Sequence, residues 1–481
     1  MKLLPPISTL ALTSMLLAAP AWAQQNQNQS IAADEAVSAA AAPEPRVTLG
    51  KDSEARLKKD VEKLVSFGTR HTLSSATDPK RGIGAARNWT AKELEKISKA
   101  CGGCITVERI SDTMTGPRAP NGVLVENVLG IQKGSDPNRV VIISGHIDSR
   151  VSDVMDFTKD APGANDDGSG TVLVLEAARQ LSKTKHRATI VYAILSGEEQ
   201  GLWGGRILAN HAKTQGWQVD AMLNNDIVGG TRGTEGQKVE NTVRVFSEGI
   251  RFSEDRDGGL ARRGNGGEDD GPSRALAKKV KVMEHGIANP LKVFVVRRPD
   301  RFSRGGDHLP ALELGYPAIR FTAGIEDYDA EHQDLRVENG RDYGDTVEKM
   351  DFPYLARVTA LNILVAGDIA DAPPAPANVT IAGAVTSHTK VTWTASPGAT
   401  GYRIVWRPAD QDEWEWYRDV DAAQTEEELR DVNIDDHFFG VKALGPNDSA
   451  SIITFGAAPP RPAFGSTPPQ SIPPQSTPPK Q

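Results

Sequence analysis

The sequence predicts an α/β protein with a mostly parallel central sheet and helices on both faces, followed by a small all-β sandwich. Apolar strands alternate with helical stretches through most of the 481-residue chain. Acids or histidines follow three of these strands, where open α/β sheets bind their ligands. Beyond a proline-rich linker at residues 372–376, short strands of alternating polarity appear. Together these patterns indicate two domains of different class.

The N-terminus has the composition of an export signal. Lys2 precedes an apolar stretch from Leu10 to Ala19, and Ala21-Trp22-Ala23 fits a cleavage site. We therefore expect residues 1–23 to be removed, and the mature protein to be secreted or periplasmic. Residues 24–50 are rich in Gln, Ala and Pro, which predicts a flexible mature terminus or a short propeptide.

Charge and cysteine content narrow the function classes. The net charge is −8 and no long basic run occurs, so nucleic acid is not an expected partner. After the signal, no apolar run is long enough for a membrane helix. Cys101 and Cys104 lie close together, and in an oxidising compartment we expect them to form a local disulfide.

The larger domain is predicted to occupy residues 51–371. Two helices, at 52–67 and about 85–100, are followed by strands at 104–110 and 123–131. The apolar run Val140–Ile143 then predicts a strand buried on both faces. His146 and Asp148 follow this strand; being two residues apart in extended chain, their side chains share one face.

Acidic residues also follow the next strands of this domain. The strand predicted at Ala188–Leu195 leads to Glu198 and Glu199, and the strand at Ala221–Asn225 leads to Asp226. A helix predicted over Thr171–Leu181 begins shortly after Asp166. The carboxyl ends of neighbouring parallel strands meet at one edge of a sheet, so a shared site is expected there.

The rest of the larger domain gives weaker signals. Residues 231–272 are glycine-rich and charged, which predicts a surface excursion or insertion. Strands are predicted at 292–297 and 317–322, and a closing helix at about 354–369. Beyond the linker, residues 377–457 predict the sandwich, and residues 458–481 a disordered Pro-rich tail.

The acids and histidines of this predicted edge have the chemistry of a metal site. They are His146, Asp148, Asp166, Glu198, Glu199, Asp226 and His332. Imidazole nitrogens and carboxylate oxygens bind Zn²⁺, and one bridging carboxylate can hold two ions about 3.5–4 Å apart. Five of these residues would then suffice as ligands, and a remaining acid could act as general base. The alternative reading of Glu198-Glu199 is a solvated helix start, where acids are favoured.

Four motifs carry a resemblance to a known family. They are His-Ile-Asp-Ser from residue 146, Gly-Ala-Asn-Asp-Asp-Gly-Ser-Gly from 163, Glu-Glu-Gln-Gly-Leu from 198 and Asn-Asp-Ile-Val-Gly from 225. In order and spacing they resemble the metal motifs of the di-zinc aminopeptidases, a family that includes secreted bacterial leucyl-type aminopeptidases and glutamate carboxypeptidase relatives. The resemblance extends from about Val123 to Asp351.

The resemblance implies a role for each residue of the motifs. Asp166 would bridge two zinc ions, with His146 and Asp226 completing one site and Glu199 and His332 the other. Glu198 would be the general base that deprotonates a metal-bridging water. Asp148 would lie behind His146, where a carboxylate fixes the tautomer of the imidazole.

His332 departs from the family pattern. The family's Asp-Thr pair normally follows the last ligand closely, whereas here Gln333–Gly344 intervenes before Asp345, which we interpret as an insertion. His308 is the rival ligand, but Gly306–Pro310 resembles a family segment beside the substrate pocket, so a structural or substrate-proximal role is expected. Tyr328 is a candidate for stabilising the oxyanion.

By this resemblance we expect a secreted zinc exopeptidase, most simply an aminopeptidase acting on peptides or proteins. A carboxypeptidase or dipeptidase of the same fold is the main alternative. A glutaminyl-cyclase-type acyltransferase with one zinc and a non-catalytic binding protein are less favoured, because all five ligands are present. Arg297, Arg298, Arg301 and Arg304 are read as solvated surface or, alternatively, as recognising a substrate carboxylate.

The predicted sandwich resembles a fibronectin type III domain. The resemblance rests on Pro374, Trp393, Tyr402 and a later Ala-Leu-Gly segment. Such a domain would bind polymeric substrate or a surface, or act only as a spacer.

Overall fold

A computed structural model describes residues 44–458 and the backbone of residues 29 and 30, which form a short strand β1 (Gln29–Ser30). The predicted signal peptide at 1–23 lies outside the described residues, as does nearly all of the predicted C-terminal tail. Arg46 and Val47 already contact the larger domain, since both backbone N–H groups donate to the carbonyl oxygen of Gly286.

An eight-stranded sheet lies at the centre of the larger domain, in the order β2-β3-β5-β4-β6-β9-β7-β8. Its strands are β2 (Thr106–Gly116), β3 (Ala119–Gln132), β4 (Asp136–His146), β5 (Ala188–Leu195), β6 (Gln218–Asn225), β7 (Thr242–Phe246), β8 (Lys292–Val296) and β9 (Ala318–Ala323). Pairs β5–β4, β4–β6, β6–β9 and β7–β8 are parallel, and the other three are antiparallel. The prediction of a mostly parallel sheet is confirmed.

Helices cover both faces of this sheet. They are α1 (Lys51–Val65), α2 (Ile83–Ala100), α3 (Gly168–Leu181), α4 (Trp203–Thr214), α5 (Arg256–Gly264), α6 (Pro272–Val282), α7 (Leu309–Glu313) and α8 (Phe352–Asp371). The core on one face joins α1, α2, α3, α6 and α8, and the core on the other face joins α4 and α7. The predicted layer order is therefore confirmed.

Strand β4 shows why the sequence forms this arrangement. Val141 and Ile143 enter the core of one face, and Val140 and Ile142 enter the core of the other. Alternate side chains of a strand point to opposite faces, so a continuous apolar run suits a strand covered on both sides. Strand β5 is buried along its whole length for the same reason.

The predicted surface excursion at 231–272 is wrong in its middle part. Strand β7 lies between β9 and β8, and Val243 and Val245 are completely buried. The short alternating run Thr-Val-Arg-Val-Phe is a strand pattern that the surrounding glycines and charges conceal. Helix α5, in the same segment, has no buried residue, so the prediction holds there.

The predicted insertion at Gln333–Gly344 contains a hairpin of β10 (Arg336–Glu338) and β11 (Arg341–Tyr343). Asn339 and Gly340 connect the strands, with φ of 50° and 77°. Positive φ at both central positions is the requirement of a type I′ turn, which Asn-Gly satisfies. The hairpin lies between His332 and Asp345 in the chain.

Two small antiparallel sheets follow the larger domain. Their strands are β12 (Ala377–Ala382), β13 (Thr389–Thr394), β14 (Gly401–Pro408), β15 (Trp416–Asp421), β16 (Glu426–Leu429), β17 (His437–Leu444) and β18 (Thr454–Phe455). One sheet has the order β12-β13-β16, and the other β1-β15-β14-β17-β18. A shared core that includes Trp393, Tyr402, Trp406 and Phe439 joins them, as expected for a sandwich.

Two further expectations concern covalent and membrane features. Cys101 and Cys104 form the predicted disulfide. Among the described residues, no helix combines the length and apolarity that crossing a bilayer requires.

The buried side chains of strand β4 should contribute strongly to the stability of the larger domain. Ile143 is fully buried, so Ile143→Ala leaves a cavity and should lower the free energy of unfolding by about 2–5 kcal/mol. Val337, in the exposed hairpin, is 72% exposed, and Val337→Ala should change the free energy of unfolding by less than about 0.5 kcal/mol. Urea denaturation followed by circular dichroism measures both; equal losses would refute the described core.

Candidate metal centre

The carboxyl ends of β4, β5 and β6 bring the site residues together. His146 is the last residue of β4, and Asp226 follows the last residue of β6. Asp166 precedes helix α3, whose N-terminus is capped by the next residue, Asp167. The Asp167 carboxylate accepts from the backbone N–H of Gly170 (2.8 Å) and of His146 (3.0 Å), which ties the helix start to the strand end.

Asp148 joins two of the strand ends. Its carboxylate accepts from the backbone N–H groups of Gly197 (2.9 Å), Glu198 (3.3 Å) and Glu199 (3.2 Å), and from the Thr72 hydroxyl (3.0 Å). Burial alone would raise the pKa of Asp148, but the His146 ring and these donors outweigh it, so its pKa is lowered. Asp148 therefore stays ionised and holds the loop after β5 against the loop after β4.

Two groups of ligating side chains share Asp166. The first metal group is His146, Asp166 and Asp226; the second is Asp166, Glu199 and His332. In the first group, His146 Nε2 lies 3.3 Å from Asp166 Oδ1 and 3.7 Å from Asp226 Oδ1. In the second, His332 Nε2 lies 2.9 Å from Asp166 Oδ2 and 3.0 Å from Glu199 Oε1. These five residues are the predicted ligand set.

The donor atoms fit a metal ion. His146 Nε2, Asp226 Oδ1 and Glu199 Oε1 are buried and have no hydrogen-bond partner among the described residues. A buried polar atom without a partner costs free energy, and a cation placed between these atoms would remove that cost. One imidazole and carboxylate oxygens in each group are ligands that zinc uses.

Charged and polar neighbours hold the outer sides of the ligands. Arg320 Nη2 lies 3.0 Å from Asp226 Oδ2, on the side away from His146. Asp345 accepts from the backbone N–H groups of Asn165 (2.8 Å) and Asp166 (2.7 Å), and thereby fixes the backbone of the shared ligand. Burial alone would raise the pKa of Asp226. The charge of Arg320 and the hydrogen bond with His146 outweigh burial, so the pKa is lowered and the carboxylate is ionised.

His332 and His308 have different surroundings. His332 reaches the second metal group from a loop, with φ of 58°, and its side chain is partly exposed. His308 is completely buried, and its Nε2 lies 2.7 Å from the carbonyl oxygen of Pro299. Of these two histidines, His332 belongs to the second metal group and His308 to neither group.

Several functional neighbours were not predicted from sequence. Arg150 and Arg320 contact ligand carboxylates, yet nothing in the motifs marks them. Arg320 did carry a signal, because a charged residue within an apolar strand has to find a buried partner. Arg301 and Arg304 form ion pairs with Glu326 and Glu331, so the solvated-surface reading is wrong for these two.

Two arginines and one tyrosine near the metal centre in the sequence lie apart from the ligands. Arg297 and Arg298 are exposed, as the solvated-surface reading expects. Tyr328 is 58% exposed and its backbone N–H donates to Thr234, and no contact among residues 44–458 places it at the metal centre.

Comparison with known proteins identifies the family. A "probable zinc metalloprotease" of Leptosphaeria maculans is 41% identical over 404 residues, which are 83% of this chain and 93% of that protein. Another, of Pyrenophora tritici-repentis, is 41% identical over 411 residues, covering 84% of this chain and 85% of that protein. The sequence pattern of peptidase family M28 matches residues 127–358. The chain belongs to peptidase family M28. It is therefore a zinc-dependent peptidase.

Part of this M28 peptidase is similar to solved structures. The LapA aminopeptidase of Legionella pneumophila has a TM-score of 0.46 at 19% identity, covering 66% of this chain and 70% of that one. A Zn-dependent exopeptidase from Parabacteroides distasonis also has a TM-score of 0.46, at 17% identity, covering 68% and 99%.

The shared position of Asp166 makes a specific prediction about zinc content. Asp166→Ala should lose zinc from both metal groups, whereas Asp226→Ala and Glu199→Ala should each lose only one ion. Zinc per chain, measured by atomic spectrometry after dialysis against zinc-free buffer, checks this. Circular dichroism confirms that the variants are folded. Wild-type zinc content in Asp166→Ala would refute its place as the shared ligand.

Proposed function

We propose that this M28 peptidase is a secreted exopeptidase that holds two zinc ions and removes residues from the N-terminus of peptides. The single observation that carries the proposal is the pair of buried ligand groups that share Asp166. Two ions sharing a carboxylate are the arrangement of metallohydrolases that act on peptides and related substrates. The complete ligand set argues against the one-zinc acyltransferase and the non-catalytic binding protein.

In the proposed peptide hydrolysis, zinc and the side chains of the protein have different roles. Zinc bound by these groups would polarise the substrate carbonyl and lower the pKa of the attacking water. Glu198 is the residue proposed to take the proton from that water and pass it to the leaving amine. Its backbone N–H bond to Asp148 fixes the position from which it acts.

The surroundings of Glu198 suit a proton carrier. Its side chain is in neither metal group, although it directly precedes the ligand Glu199. Burial raises the pKa of Glu198, and the neighbouring carboxylates of Asp226 and Glu199 raise it further. A carboxyl group whose pKa moves towards neutrality exchanges protons more readily at physiological pH.

The charges beside the centre favour an N-terminal ammonium group over a C-terminal carboxylate. Arg304 lies 3.1 Å from Glu326 and also pairs with Glu331, and these two carboxylates neutralise a cation that could otherwise recognise a substrate carboxylate. The other oxygen of Glu331, Oε2, is buried without a hydrogen-bond partner among the described residues. Glu331 and Asp166 line one small cavity, of about 50 Å³. An unpaired buried carboxylate oxygen suits an ammonium group, which supports the aminopeptidase proposal.

The proposal includes export of the chain and a binding role for its C-terminal domain. The Cys101–Cys104 disulfide supports export, since disulfides persist mainly in oxidising compartments. The fibronectin type III-like identity of residues 377–457 is supported by its two antiparallel sheets with one core. Binding of polymeric substrate or a surface is the role we propose for it.

Removal of the proposed base should separate catalysis from metal binding. Glu198→Gln keeps the size of the side chain but cannot accept the proton, so kcat should fall by about 10²–10⁴-fold. Zinc per chain should be unchanged, in contrast to Glu199→Gln, which should lose the second ion. Steady-state kinetics and zinc analysis are the measurements. Wild-type turnover in Glu198→Gln would exclude it as the base.

Substrate end groups distinguish the aminopeptidase from the carboxypeptidase. Peptides with a free amine and an amidated C-terminus should be cleaved, while N-acetylated peptides with a free carboxylate should not. Glu331→Gln should raise KM for the free-amine peptides by roughly tenfold or more, since it removes a charged hydrogen-bonding partner. Product analysis by mass spectrometry and initial-rate kinetics measure both effects.

The matched control is Glu326→Gln, which disturbs the same arginine pairs. Glu326 accepts hydrogen bonds from Arg301 and Arg304, at 3.1 Å each. Unlike Glu331, it has no buried oxygen that lacks a hydrogen-bond partner among the described residues. An equal rise in KM for both variants would mean that the arginine pairs matter and that Glu331 does not bind substrate. Cleavage of only the N-acetylated peptides would replace the proposal by a carboxypeptidase.

A further inference from the structure

A cavity of about 350 Å³ lies between the larger domain and the C-terminal sandwich. Helices α6 and α8 contribute to one wall, and the sandwich contributes the other. The apolar part of the lining comes from both domains, and it includes Ala275, Met283, Leu364, Trp414, Ile453 and Phe455. Pockets for small molecules have volumes of about 300–1,000 Å³ and are mostly apolar, so this cavity has the size and lining of a ligand site.

Ion pairs fix the two domains on either side of this interdomain cavity. Asp270, just before α6, pairs with Arg407 of β14, and both side chains are 3% exposed. Lys279 of α6 lies 2.6 Å from Asp368 of α8 and donates to the carbonyl oxygen of Ala450 at 2.8 Å. Separating such partners would leave buried charges uncompensated, which is costly. The walls of the cavity are therefore held at a fixed distance from each other.

The buried acids of the cavity wall already have cationic partners. Asp270 and Asp368 are both buried there. Each pairs with two cations: Lys278 and Arg407 with Asp270, and Lys279 and Arg46 with Asp368. The other acids of the lining, Glu44 and Asp448, are exposed to solvent. Neither buried carboxylate therefore needs a further cation.

Lys442 of β17 is a cation of this cavity for which no such partner is left. Among residues 44–458, no hydrogen bond or ion pair reaches its Nζ. Val441 and Ala443, on either side of it, enter the core of the sandwich, so Lys442 points the other way, into the cavity. Burial and the charges of Lys279 and Arg403 lower the pKa of Lys442 to about 8. A partly buried ammonium group without a partner costs free energy, which an anion beside it would recover.

We infer that the interdomain cavity binds a small ligand with an apolar body and a carboxylate, and that Lys442 pairs with that carboxylate. The apolar lining from both domains covers the body of the ligand. The ammonium group donates a charge-assisted hydrogen bond, which is stronger than one between neutral groups. A fatty acid and an amino-acid derivative with a free carboxylate share this chemistry.

The cavity is remote from the metal centre. Helix α8 begins beside the centre, where the backbone N–H of Asp351 donates to Gly229, whose own N–H donates to the Asn165 side chain. Leu364 and Asp368 reach the cavity near the other end of this 20-residue helix, about 20–25 Å away at a rise of 1.5 Å per residue. Binding in the cavity is therefore separate from zinc binding and from the proposed peptide hydrolysis.

Isothermal titration calorimetry of the mature, zinc-loaded protein tests the inference. Octanoate and N-acetylleucine are the two carboxylate probes, and octanamide and N-acetylleucinamide are their uncharged counterparts. Wild type should bind at least one of the carboxylates, and the matching amide about 10–100-fold more weakly, which is the effect of losing a hydrogen bond between charged groups. The carboxylate that binds more tightly identifies the ligand as a fatty acid or as an amino-acid derivative.

Lys442→Met tests the residue that carries the inference. Methionine keeps most of the aliphatic stem but removes the charge, so affinity for the carboxylate should fall about 10–100-fold and approach that for the amide. Lys442→Gln provides the same test if Lys442→Met does not fold. The matched control is Lys281→Met. Lys281 of α6 pairs with Glu413 across the same domain interface but does not line the cavity, so this variant should bind like wild type.

Carboxylate binding that is lost in Lys442→Met and kept in Lys281→Met supports the inference. Equal affinity for the acids and the amides overturns it, since Lys442 would then recognise no carboxylate. Undiminished carboxylate binding in Lys442→Met also overturns it, because the ligand would then sit elsewhere, for example on zinc. Failure of wild type to bind any probe is the third contradicting result. The zinc and peptide-cleavage measurements described above test the proposed function independently.

Discussion

The structure depends on one electrostatic constraint: three carboxylates are buried together around two imidazole rings, and one of the three contacts both rings. Asp166, Asp226 and Glu199 have to be buried together to form a metal centre, and buried like charges are costly unless cations compensate them. Arg320 compensates Asp226, and Arg150 compensates Glu199. Asp166, which both groups share, lies beside both histidines. Zinc ions between these side chains would complete the compensation of the buried negative charge.

The fold supplies the positions that this constraint requires. Parallel strands end at one edge of the sheet, so His146, Asp226 and the loop that carries Glu199 come together without long connections. Three further carboxylates then bind backbone N–H groups of these loops: Asp148, Asp167 and Asp345. Because such carboxylates accept several hydrogen bonds, they hold the ligands in place at the ends of rigid elements. The hydrophobic cores on the two sheet faces fix those elements in turn.

The sequence was sufficient for most of the sheet and of the helix layers, and for the set of residues brought together at the site. Strand-end acids and histidines are local signals, and the order of the four motifs placed them at one edge. The arginines could not be predicted, since the pairs Arg150–Glu199 and Arg320–Asp226 join residues far apart in the chain. Strand β7 was missed because its five residues lie among glycines and charges, and only the pairing with β8 and β9 stabilises it there.

The central claim is that two zinc ions occupy the two groups that share Asp166. Anomalous X-ray scattering at the zinc absorption edge, recorded from crystals of the mature protein grown with excess zinc, tests it most directly. The account predicts two peaks, one among His146, Asp166 and Asp226 and one among Asp166, Glu199 and His332. A single peak, or peaks that do not share Asp166, would contradict it.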